Sequence, residues 1–548
     1  MELNIAVVHE AIAAAVPERD CLVWRARRHS WAEVTERTRR LANVLIDAGL
    51  GVRREHGLAP WESGQDHLAL YLTNGNEYLE GMLGAYKARV APFNVNYRYV
   101  AEELRYLFDD ARPRAMIFHA RYVPILEEVL AAVEHRPELL LQVADETGNE
   151  LLLGARDYDE ALAASSPQPP PVEPQPDDLY LVYTGGTTGM PKGVLWRQAD
   201  FLVGALGVCR KDGTDYERLD ELVERARTTN LRSCPAPPLM HGAAHWNAIS
   251  TWMGGGTVVI QSDPGRLDAR DILATIERER VTSLNIVGDA FARPLLEELR
   301  HHHYDLSSLR HVVSGGAVLS GAVKRELESR IAGLQIVDIV GGSESGRQAM
   351  ATGADRQSFA PSSGAAVLSN DRTRRLAAGD DEIGWLAQTG RLPRGYLNDQ
   401  AKTEATFPVI ESVRYVVAGD RARIAEDGSI ILLGRESVTI NTGGEKVFAE
   451  EVEHALKQHP ALYDALVVGR PSDQWGHEVV AIVRVRDGIE VDDTELIVEA
   501  SRHIARYKLP KAIIRVEAIG RSPSGKPDYQ WARSVALAGQ PQPGRSTP

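Results

Sequence analysis

Residues 179–193 read LYLVYTGGTTGMPKG, an apolar run that passes directly into a loop of glycine, threonine and lysine. The apolar run predicts a strand, and the glycines allow backbone N–H groups of the loop to approach an anion closely. Threonine hydroxyls add donors, and Lys192 adds a positive charge. Pro191 and Gly193 flank this lysine, so the loop differs from the Walker loop, which requires Gly-Lys-[Ser/Thr]. The stretch therefore predicts a strand that ends in a phosphate cradle.

Short apolar runs alternate with helical stretches on both sides of this strand. Residues 31–50 and 101–111 carry apolar side chains near helical spacing, whereas 67–72 and 115–119 are short apolar runs. Further strand-like runs that end in glycine turns follow between residues 257 and 346. Alternation of this kind predicts an α/β architecture.

Two composition changes divide the chain. Residues 165–178 contain six prolines and predict a surface linker. A smaller α+β unit begins near Arg435, and residues 539–548 are predicted to be a disordered tail. The predicted elements of the smaller unit are helices over 448–459 and 494–506 and strands over 464–470 and 478–486.

Composition limits the classes of function. The chain has 548 residues, too many for one ordinary core, and its net charge of −14 argues against general nucleic-acid binding because an acidic surface repels a phosphate backbone. Its three cysteines lie far apart and predict neither a disulfide framework nor a zinc site. The first twenty residues lack the features of a signal peptide, and no run reaches the ~20 apolar residues of a membrane span. We therefore expect a cytoplasmic protein.

The motif from Tyr183 to Gly193 resembles the signature loop of the adenylate-forming superfamily, which includes acyl-CoA synthetases, peptide-synthetase adenylation domains and luciferases. Further motifs follow in the family's order along nearly the whole chain. The resemblance implies an α/β fold: a large N-terminal domain of stacked α/β subdomains with a β-barrel-like part, then a small mobile α+β C-terminal domain. The implied boundaries are 1–434 for the large domain, 435–437 for the hinge and 438–538 for the mobile domain.

The resemblance also implies an ATP-dependent acid–CoA ligase that uses Mg²⁺, ATP and coenzyme A. Such an enzyme first makes an acyl-adenylate and then transfers the acyl group to CoA. Thr184, Glu344 and Lys526 would be catalytic, with Glu344 as the Mg²⁺ ligand, which suits a hard oxygen donor. The implied ATP- and AMP-binding positions are Thr184, Gly185, Gly186, Thr187, Thr188, Gly189, Lys192, Gly315, Gly316, Ala317, Gly341, Gly342, Ser343, Asp420 and Arg435.

Some of these positions keep the family's chemistry and one departs from it. Ser343 keeps the hydroxyl of the Tyr-Gly-x-Thr-Glu pattern, whereas Val340 stands where an adenine-stacking tyrosine is usual. Asp420, fifteen residues before Arg435, resembles the carboxylate that holds both ribose hydroxyls. An ionised carboxylate can accept two such hydrogen bonds.

Motifs near the C-terminal end of the chain imply that the small domain rotates between the two steps of the reaction. Lys526 resembles the lysine that bridges the attacking carboxylate and the α-phosphate, where it would stabilise the added negative charge of the transition state. Ser437 stands at the implied hinge, and a hinge needs only to tolerate a change in φ and ψ. After the small domain rotates, a glycine loop would line the CoA tunnel, because glycine lets a narrow thiol arm pass close to backbone. The implied tunnel positions are Gly443, Gly444, Glu445 and Lys446.

The segment around His241 resembles the one that borders the acid-binding pocket in the family. His241, Gly242 and Ala243 are the candidate pocket residues, and the glycines at 254–256 are expected to add volume for a bulky ligand. Residues 237–256 contain no lysine, arginine or aspartate, so an amino-acid substrate would lack its usual ammonium partner. We therefore expect an apolar acid.

Three further segments refine this expectation. Residues 94–100, 288–294 and 437–441 are similar to those of bacterial ligases that activate steroid side-chain carboxylates. The expected substrate is a steroid side-chain acid or a medium- or long-chain fatty acid.

Alternatives stay open at this point. The chain could be a stand-alone adenylation enzyme that loads a carrier protein, an aryl-acid CoA ligase or a nucleotide-binding module without catalysis. Its expected partners are the acid, ATP and CoA, with no nucleic acid, and a homodimer is left open. The histidines at 301–303 and the acidic runs at 109–110 and 380–382 are interpreted as solvated surface.

Overall fold

The structure of the chain is a computed structural model, which describes residues 2–184, 190–210, 212–353, 358–442, 445–472, 476–522 and 525–539. The helices are α1 Ile5–Ala15, α2 Trp31–Asp47, α3 Asn76–Lys87, α4 Ala101–Ala111, α5 Val123–Ala132, α6 Tyr158–Ala163, α7 Gln198–Gly204, α8 Leu219–Thr228, α9 Gly242–Met253, α10 Ala269–Glu279, α11 Gly288–His301, α12 Gly321–Arg330, α13 Gln400–Thr406, α14 Ala449–Leu456, α15 Asp493–Ser501 and α16 Tyr529–Ala538. The strands of the first half are β1 Asp20–Trp24, β2 Arg27–Ser30, β3 His67–Tyr71, β4 Ala91–Asn94, β5 Ala115–His119, β6 Leu139–Val143, β7 Ala155–Asp157, β8 Leu179–Thr184, β9 Lys192–Arg197, β10 Arg232–Pro235 and β11 Thr257–Ile260. The remaining strands are β12 Ser283–Ile286, β13 His311–Gly315, β14 Gln335–Gly342, β15 Gly346–Thr352, β16 Ala360–Pro361, β17 Ala365–Leu368, β18 Gly384–Thr389, β19 Gly395–Tyr396, β20 Val409–Ile410, β21 Val413–Val416, β22 Asp420–Ile424, β23 Ile430–Arg435, β24 Thr439–Thr442, β25 Glu445–Phe448, β26 Leu462–Ser472, β27 Gly476–Val485 and β28 Ala512–Arg515.

The large unit, residues 2–435, is built around several sheets. A parallel sheet has the order β4-β3-β5-β6-β7, and a mixed sheet has the order β16-β15-β14-β13-β12-β10-β11-β1-β2. A small sheet joins β8, β9 and β19, and an antiparallel sheet joins β17, β18 and β20 to β23. Because parallel strands need crossover connections, helices cover the faces of the five-stranded parallel sheet and the nine-stranded mixed sheet.

Helix α2 illustrates how local sequence sets these elements. The Ser30 hydroxyl accepts a hydrogen bond from Glu33 N, and the Glu33 carboxylate accepts one from Ser30 N, so a capping box starts the helix. The helix ends before Gly49, whose φ of 75° lies in the left-handed region. Leu41 packs so closely on Gly84 of α3 that a Cβ there would lie 2.6 Å from a Leu41 methyl carbon. The two helices can approach this closely because position 84 has no side chain.

The small unit, residues 439–539, has its own apolar core. Its sheet has the order β25-β24-β27-β26, with β28 parallel to β27 on the other side. Buried side chains of this sheet pack with those of α14, α15 and α16 in one cluster that spans Val438 to Ala536. A separate core lets such a unit hold together while its contacts with the large unit change.

The predicted fold class is confirmed, since both units and their α/β and α+β character are present. The predicted helix over 31–50 and the strand over 179–184 are observed as α2 and β8. Residues 165–178 contain no helix or strand. In the described ranges no helix is long and apolar enough to cross a membrane. Gly539 caps α16, and the rest of the predicted tail lies outside the described residues.

Candidate active site

The predicted phosphate loop connects β8 to β9. These strands pair so that Thr184 lies opposite Lys192, which brings the two ends of the loop together. Gly185, Gly186, Thr187, Thr188 and Gly189 lie outside the described residues. The Lys192 ammonium bonds to the Asp399 carboxylate at the start of α13. Burial opposes ionisation of Asp399, but the bond to Lys192 and the hydrogen bond from the Lys402 backbone N–H, together with the charges of these two lysines, outweigh it and lower the pKa of Asp399.

A second carboxylate anchors the strand that leads into the loop. Asp110 lies in the last turn of α4, and its Oδ2 accepts a 2.7 Å hydrogen bond from the Tyr183 hydroxyl. Burial raises the pKa of Asp110. The interpretation of residues 109–110 as a solvated turn is therefore wrong for Asp110, because the fold carries this helix end against β8.

A tight hairpin between β14 and β15 presents Ser343 and Glu344. A Cβ at Gly341 would lie 2.1 Å from the Gly346 carbonyl oxygen, so the hairpin requires glycine there. The Trp196 indole donates a 2.8 Å hydrogen bond to the Ser343 carbonyl. The Tyr396 hydroxyl donates a 3.0 Å hydrogen bond to Glu344 Oε1. Side chains of β9 and β19 thus hold the turn between β14 and β15 in place.

Val340 precedes this hairpin and lies against an apolar cluster. The cluster includes Ala349, Val367 and Leu386, all buried. Valine at this position contributes to the packing of the sheet beneath the site.

Lys526 reaches across from the small unit to the turn after β13. Its Cε lies 3.4 Å from the place that a Cβ at Gly316 would occupy, and Gly316 has a φ of 83°. Crowding by protein atoms lowers the pKa of Lys526, and the positive charge of Arg435 lowers it further. Glu344 and Asp420 oppose this shift, so their negative charges act on the same ammonium. Lys526 as a whole residue is nevertheless exposed to solvent.

Asp420 and Arg435 face each other at the end of the large unit. They pair directly across β22 and β23, and Arg435 Nε lies 3.0 Å from Asp420 Oδ1. The charge of Asp420 raises the pKa of Arg435, with a further contribution from Glu344. The backbone N–H of Arg435 donates to Glu450 of α14 at 3.3 Å, which links this pair to the small unit.

His241 is the N-cap residue of α9; the residue is partly exposed, whereas its Nε2 atom is buried. Among the described residues its Nε2 has no hydrogen-bond partner. Burial lowers the pKa of His241 to about 3, with a second contribution from the nearby Lys526 ammonium. A neutral imidazole with an unpartnered nitrogen therefore faces the region that Lys526 occupies.

The wall beyond His241 is aromatic and internally hydrogen-bonded. His245 Nδ1 lies 2.6 Å from the Leu239 carbonyl and must donate to it, so its Nε2 accepts from the Tyr180 hydroxyl. The Tyr180 oxygen in turn accepts a 2.9 Å bond from the Trp246 indole. A Cβ at Gly242 would lie 3.3 Å from the Trp246 ring. Glycine at position 242 therefore leaves space between this wall and His241.

The glycines at 254–256 have a different role from the one expected. Gly254 caps the far end of α9, and a Cβ at Gly255 would lie 2.5 Å from Ala226. A Cβ at Gly256 would lie 2.8 Å from the Leu231 carbonyl. The expectation that these glycines enlarge the pocket is wrong, because twelve residues of helix separate them from His241.

Of the predicted hinge and tunnel residues, the structure describes Ser437, Glu445 and Lys446. Ser437 is in the short 3₁₀ turn Glu436–Val438, and its carbonyl accepts a 3.3 Å bond from Arg533. Glu445 and Lys446 are exposed on β25, and Lys446 Nζ lies 2.5 Å from Glu436 Oε1. Gly443 and Gly444 lie outside the described residues.

Folding thus brings together charged groups that the sequence separates widely. Electrostatic coupling joins Lys526 to Glu344, Asp420 and Arg435. Sequence reasoning missed Trp196, Tyr396 and Asp399, which position Ser343, Glu344 and Lys192. Of these three residues, only Trp196 lies close in sequence to a recognised motif. Its hydrogen bond to the Ser343 carbonyl could not be predicted, because the two residues are far apart in the sequence.

Comparison with protein families gives two matches. Residues 9–376 match the family described as AMP-binding enzyme, and residues 451–526 match its C-terminal domain. The medium-chain acyl-CoA ligase Mig of Mycobacterium avium is 49% identical over 547 residues, covering 98% of each chain. A 3-oxocholest-4-en-26-oate–CoA ligase of Rhodococcus rhodochrous is 38% identical over 551 residues, covering 97% of this chain and 96% of that protein.

Solved structures resemble the fold at lower identity. The anthranilate CoA ligase AuaEII in complex with anthranoyl-AMP has a TM-score of 0.83 at 21% identity, with 98% of each chain covered. A fatty acyl CoA synthetase of Mycobacterium tuberculosis has a TM-score of 0.70 at 23% identity, covering 98% of this chain and 99% of that chain. These likenesses concern the whole fold, including both units.

Proposed function

The chain belongs to the AMP-binding enzyme family and is an AMP-forming acid–CoA ligase for apolar acids, and we propose that the acid is a medium- or long-chain fatty acid or a steroid side-chain acid. One observation carries the assignment of the site. Lys526 of the small unit lies within electrostatic reach of Glu344, Asp420, Arg435 and His241 of the large unit. That arrangement is suited to the first half of the reaction.

In that half-reaction the substrate carboxylate attacks the α-phosphorus of ATP. A new P–O bond forms the acyl-adenylate, and the bond to the β-phosphate oxygen breaks and releases pyrophosphate. Lys526 would stabilise the extra negative charge on the pentacoordinate phosphorus, and Thr184 and Lys192 would hold the phosphates. Asp420 would accept hydrogen bonds from the ribose hydroxyls, with Arg435 fixing its orientation. His241 Nε2 would meet the substrate carboxylate from the acyl side.

The residues present fit a magnesium ion. In the described part of the chain no group of three or more His, Cys, Asp or Glu side chains could hold a metal. Mg²⁺ at nucleotide sites is bound by one or two carboxylates together with phosphate oxygens and water, so Glu344 would suffice as the protein ligand. The ion would neutralise charge on the ATP phosphates. Tyr396 would orient the Glu344 carboxylate by its hydrogen bond.

The second half-reaction needs a different arrangement. The CoA thiolate attacks the acyl carbonyl carbon, a C–S bond forms, and the C–O bond to phosphate breaks and releases AMP. Rotation about Ser437 would withdraw Lys526 and bring the loop of Gly443 and Gly444, with Glu445 and Lys446, to the site. The separate apolar core of the small unit supports such a rigid-body movement.

The substrate class rests on the acyl wall. Gly242 and Ala243 are small, and Tyr180, His245 and Trp246 satisfy one another's polar atoms. Such a wall offers an acyl chain apolar surface and no charged partner. The relatives named for medium-chain acids and for 3-oxocholest-4-en-26-oate support the same class.

The decisive experiment is AMP release by the purified chain with a panel of acids, with and without CoA. Apolar fatty or steroid acids should give the highest kcat/KM in the presence of CoA. Preference for acetate, an aryl acid or an amino acid would contradict the proposed substrate class. Acyl transfer to a phosphopantetheinyl protein but not to CoA would identify a carrier-protein loader instead. Lack of ATP–pyrophosphate exchange with every acid would identify a nucleotide-binding module without catalysis.

A further inference from the structure

Two separate parts of the small unit dock on the first half of α11. A Cβ at Gly525, beside Lys526, would lie 3.2 Å from the Phe291 ring and 3.3 Å from the Ala290 Cβ. One turn further along this helix, the guanidinium carbon of Arg293 lies 5.6 Å from the centre of the Tyr463 ring. The loop that carries Lys526 and the contact made by Tyr463 therefore share one platform on the large unit.

Tyr463 is directed toward this platform by an irregularity in its strand. The register of β26 with β27 shifts between Leu462, opposite Val485, and Asp464, opposite Arg484. A bulge of this kind inserts an extra residue and turns its side chain away from the regular alternation. The inserted residue is Tyr463, and its ring is the group that meets Arg293.

Arg293 is oriented for this contact by a carboxylate of the large unit. Its side chain is only 6% exposed, and its Nη2 lies 2.9 Å from Asp289 Oδ2. Asp289 Oδ1 also accepts a 2.8 Å hydrogen bond from the backbone N–H of Ser320. The Asp289 carboxylate holds one edge of the Arg293 guanidinium. The positive charge of Arg293 thereby lies over the aromatic face of Tyr463. A cation over an aromatic face is attracted by the ring quadrupole.

A repulsive contribution keeps this attraction small. The guanidinium carbons of Arg484, in β27, and of Arg486, directly after this strand, lie 4.2 and 5.9 Å from the same ring centre. Burial lowers the pKa of Arg486, and the charge of Arg293 lowers it further, so the guanidinium groups repel one another. Attraction to the ring and repulsion between cations partly cancel. The net stabilisation from this contact is therefore modest.

We propose that Tyr463 is a positioning residue that holds the small unit on α11 through Arg293 and thereby keeps Lys526 at the site for adenylation. The inference rests on the proposed function in that it assigns the contact to one half-reaction. In this scheme the Tyr463–Arg293 contact must break before the thioester can form.

Three substitutions at this one position test the proposal. Tyr463→Leu removes the aromatic face, and pyrophosphate formation in a single turnover should slow about 3- to 30-fold, as expected for loss of a cation–π contact. Thioester formation from pre-made acyl-AMP and CoA should be unchanged or faster. Tyr463→Phe keeps the face and should behave as the parent. Tyr463→Trp should strengthen the cation–π attraction to Arg293 and should therefore slow the second half-reaction instead. Equal losses in both half-reactions, or a Phe variant as slow as the Leu variant, would overturn the proposal.

A structural measurement separates this proposal from the assignment of function. Hydrogen exchange of residues 288–296 and 525–528 can be followed in the full chain without any substrate. Tyr463→Leu should raise exchange in both segments, Tyr463→Phe should not, and the core of β26 and β27 should stay protected in each. Unchanged exchange in α11 would refute docking through Tyr463 even if the chain makes acyl-CoA. Increased exchange in a chain that makes no acyl-CoA would uphold the docking contact and reject the proposed function alone.

Discussion

The Tyr396 hydroxyl lies 3.0 Å from Glu344 Oε1 and donates a hydrogen bond to it. Burial raises the pKa of Tyr396, and the Glu344 charge raises it further, so the hydroxyl remains a donor at physiological pH. The bond holds one of the two carboxylate oxygens of Glu344 in place. The orientation of Glu344 therefore depends on Tyr396, a residue that lies in none of the recognised sequence motifs.

Glu344→Gln should impair adenylation by weakening Mg²⁺ binding, because a neutral amide is a poorer ligand for a hard dication. Tyr396→Phe should raise the Mg²⁺ concentration needed for half-maximal activity by roughly 10-fold, as for loss of an orienting partner. Both effects are measured by ATP–pyrophosphate exchange over a Mg²⁺ titration. The Phe variant should recover at saturating Mg²⁺. Parental activity of Glu344→Gln at limiting Mg²⁺ would remove Glu344 from the site.

Lys526→Ala should lose adenylation on the order of 10²–10³-fold, as for removal of one preorganised charge-stabilising donor. The same variant should still convert synthetic acyl-AMP and CoA to thioester, because Lys526 would have left the site by then. The two rates are measured separately with one acid and one enzyme preparation. Equal damage to both steps would mean that a single fixed arrangement serves the whole reaction.

Gly444→Trp should show the opposite pattern. An indole in the glycine loop would block the path of the pantetheine arm, so thioester formation should fall while ATP–pyrophosphate exchange stays near the parental rate. Glu490→Gln is a control on the same unit, since Glu490 is exposed in the segment between β27 and α15 and lies outside the implied tunnel positions. Loss of exchange in Gly444→Trp would argue against a tunnel that forms only in the second half-reaction.

The Glu450 carboxyl predicts a pH dependence of stability. Burial and the nearby Glu453 raise the pKa of Glu450 to about 8 from an ordinary 4.5, so the folded chain binds this proton more tightly than the unfolded chain. The stabilisation is complete below pH 4.5 and is lost as pH rises toward 8. The free energy of unfolding of Glu450→Gln should therefore exceed that of the parent at pH 8.5 by an amount on the order of 1–2 kcal/mol, and should be similar to it at pH 5, as measured by denaturant unfolding.

Glu451→Gln provides the neighbouring control for this measurement. Its carboxylate pairs with Lys508 Nζ at 2.7 Å, so neutralising it should give no gain in stability at high pH. A Glu450→Gln variant with the same pH profile as the parent would show that Glu450 is ionised in the folded chain.

Prediction from sequence succeeded where local pattern and chemistry coincide. The capping box at Ser30 and Glu33 starts a helix with local contacts alone, and the apolar run before Gly185 forms a strand for the same reason. It failed for Asp110 and for the glycines at 254–256. Asp110 accepts a bond from Tyr183, seventy-three residues away, and Gly255 is required by the closeness of Ala226. Such contacts are set by packing between elements and leave no local signal.

The sequence by itself determined the kinds of chemistry that this protein has available. Its glycine and threonine loop, its carboxylates and Lys526 are fixed by residue type and order, and the apolar periodicity fixes the class of fold. Only the tertiary structure decided which of these groups meet. Lys526 and Glu344 act on each other because the small unit docks on α11, and the fold buries the Nε2 atom of His241 with no hydrogen-bond partner among the described residues. Electrostatic forces between charges depend on distance and on exclusion of solvent, and both quantities arise only when the chain is packed.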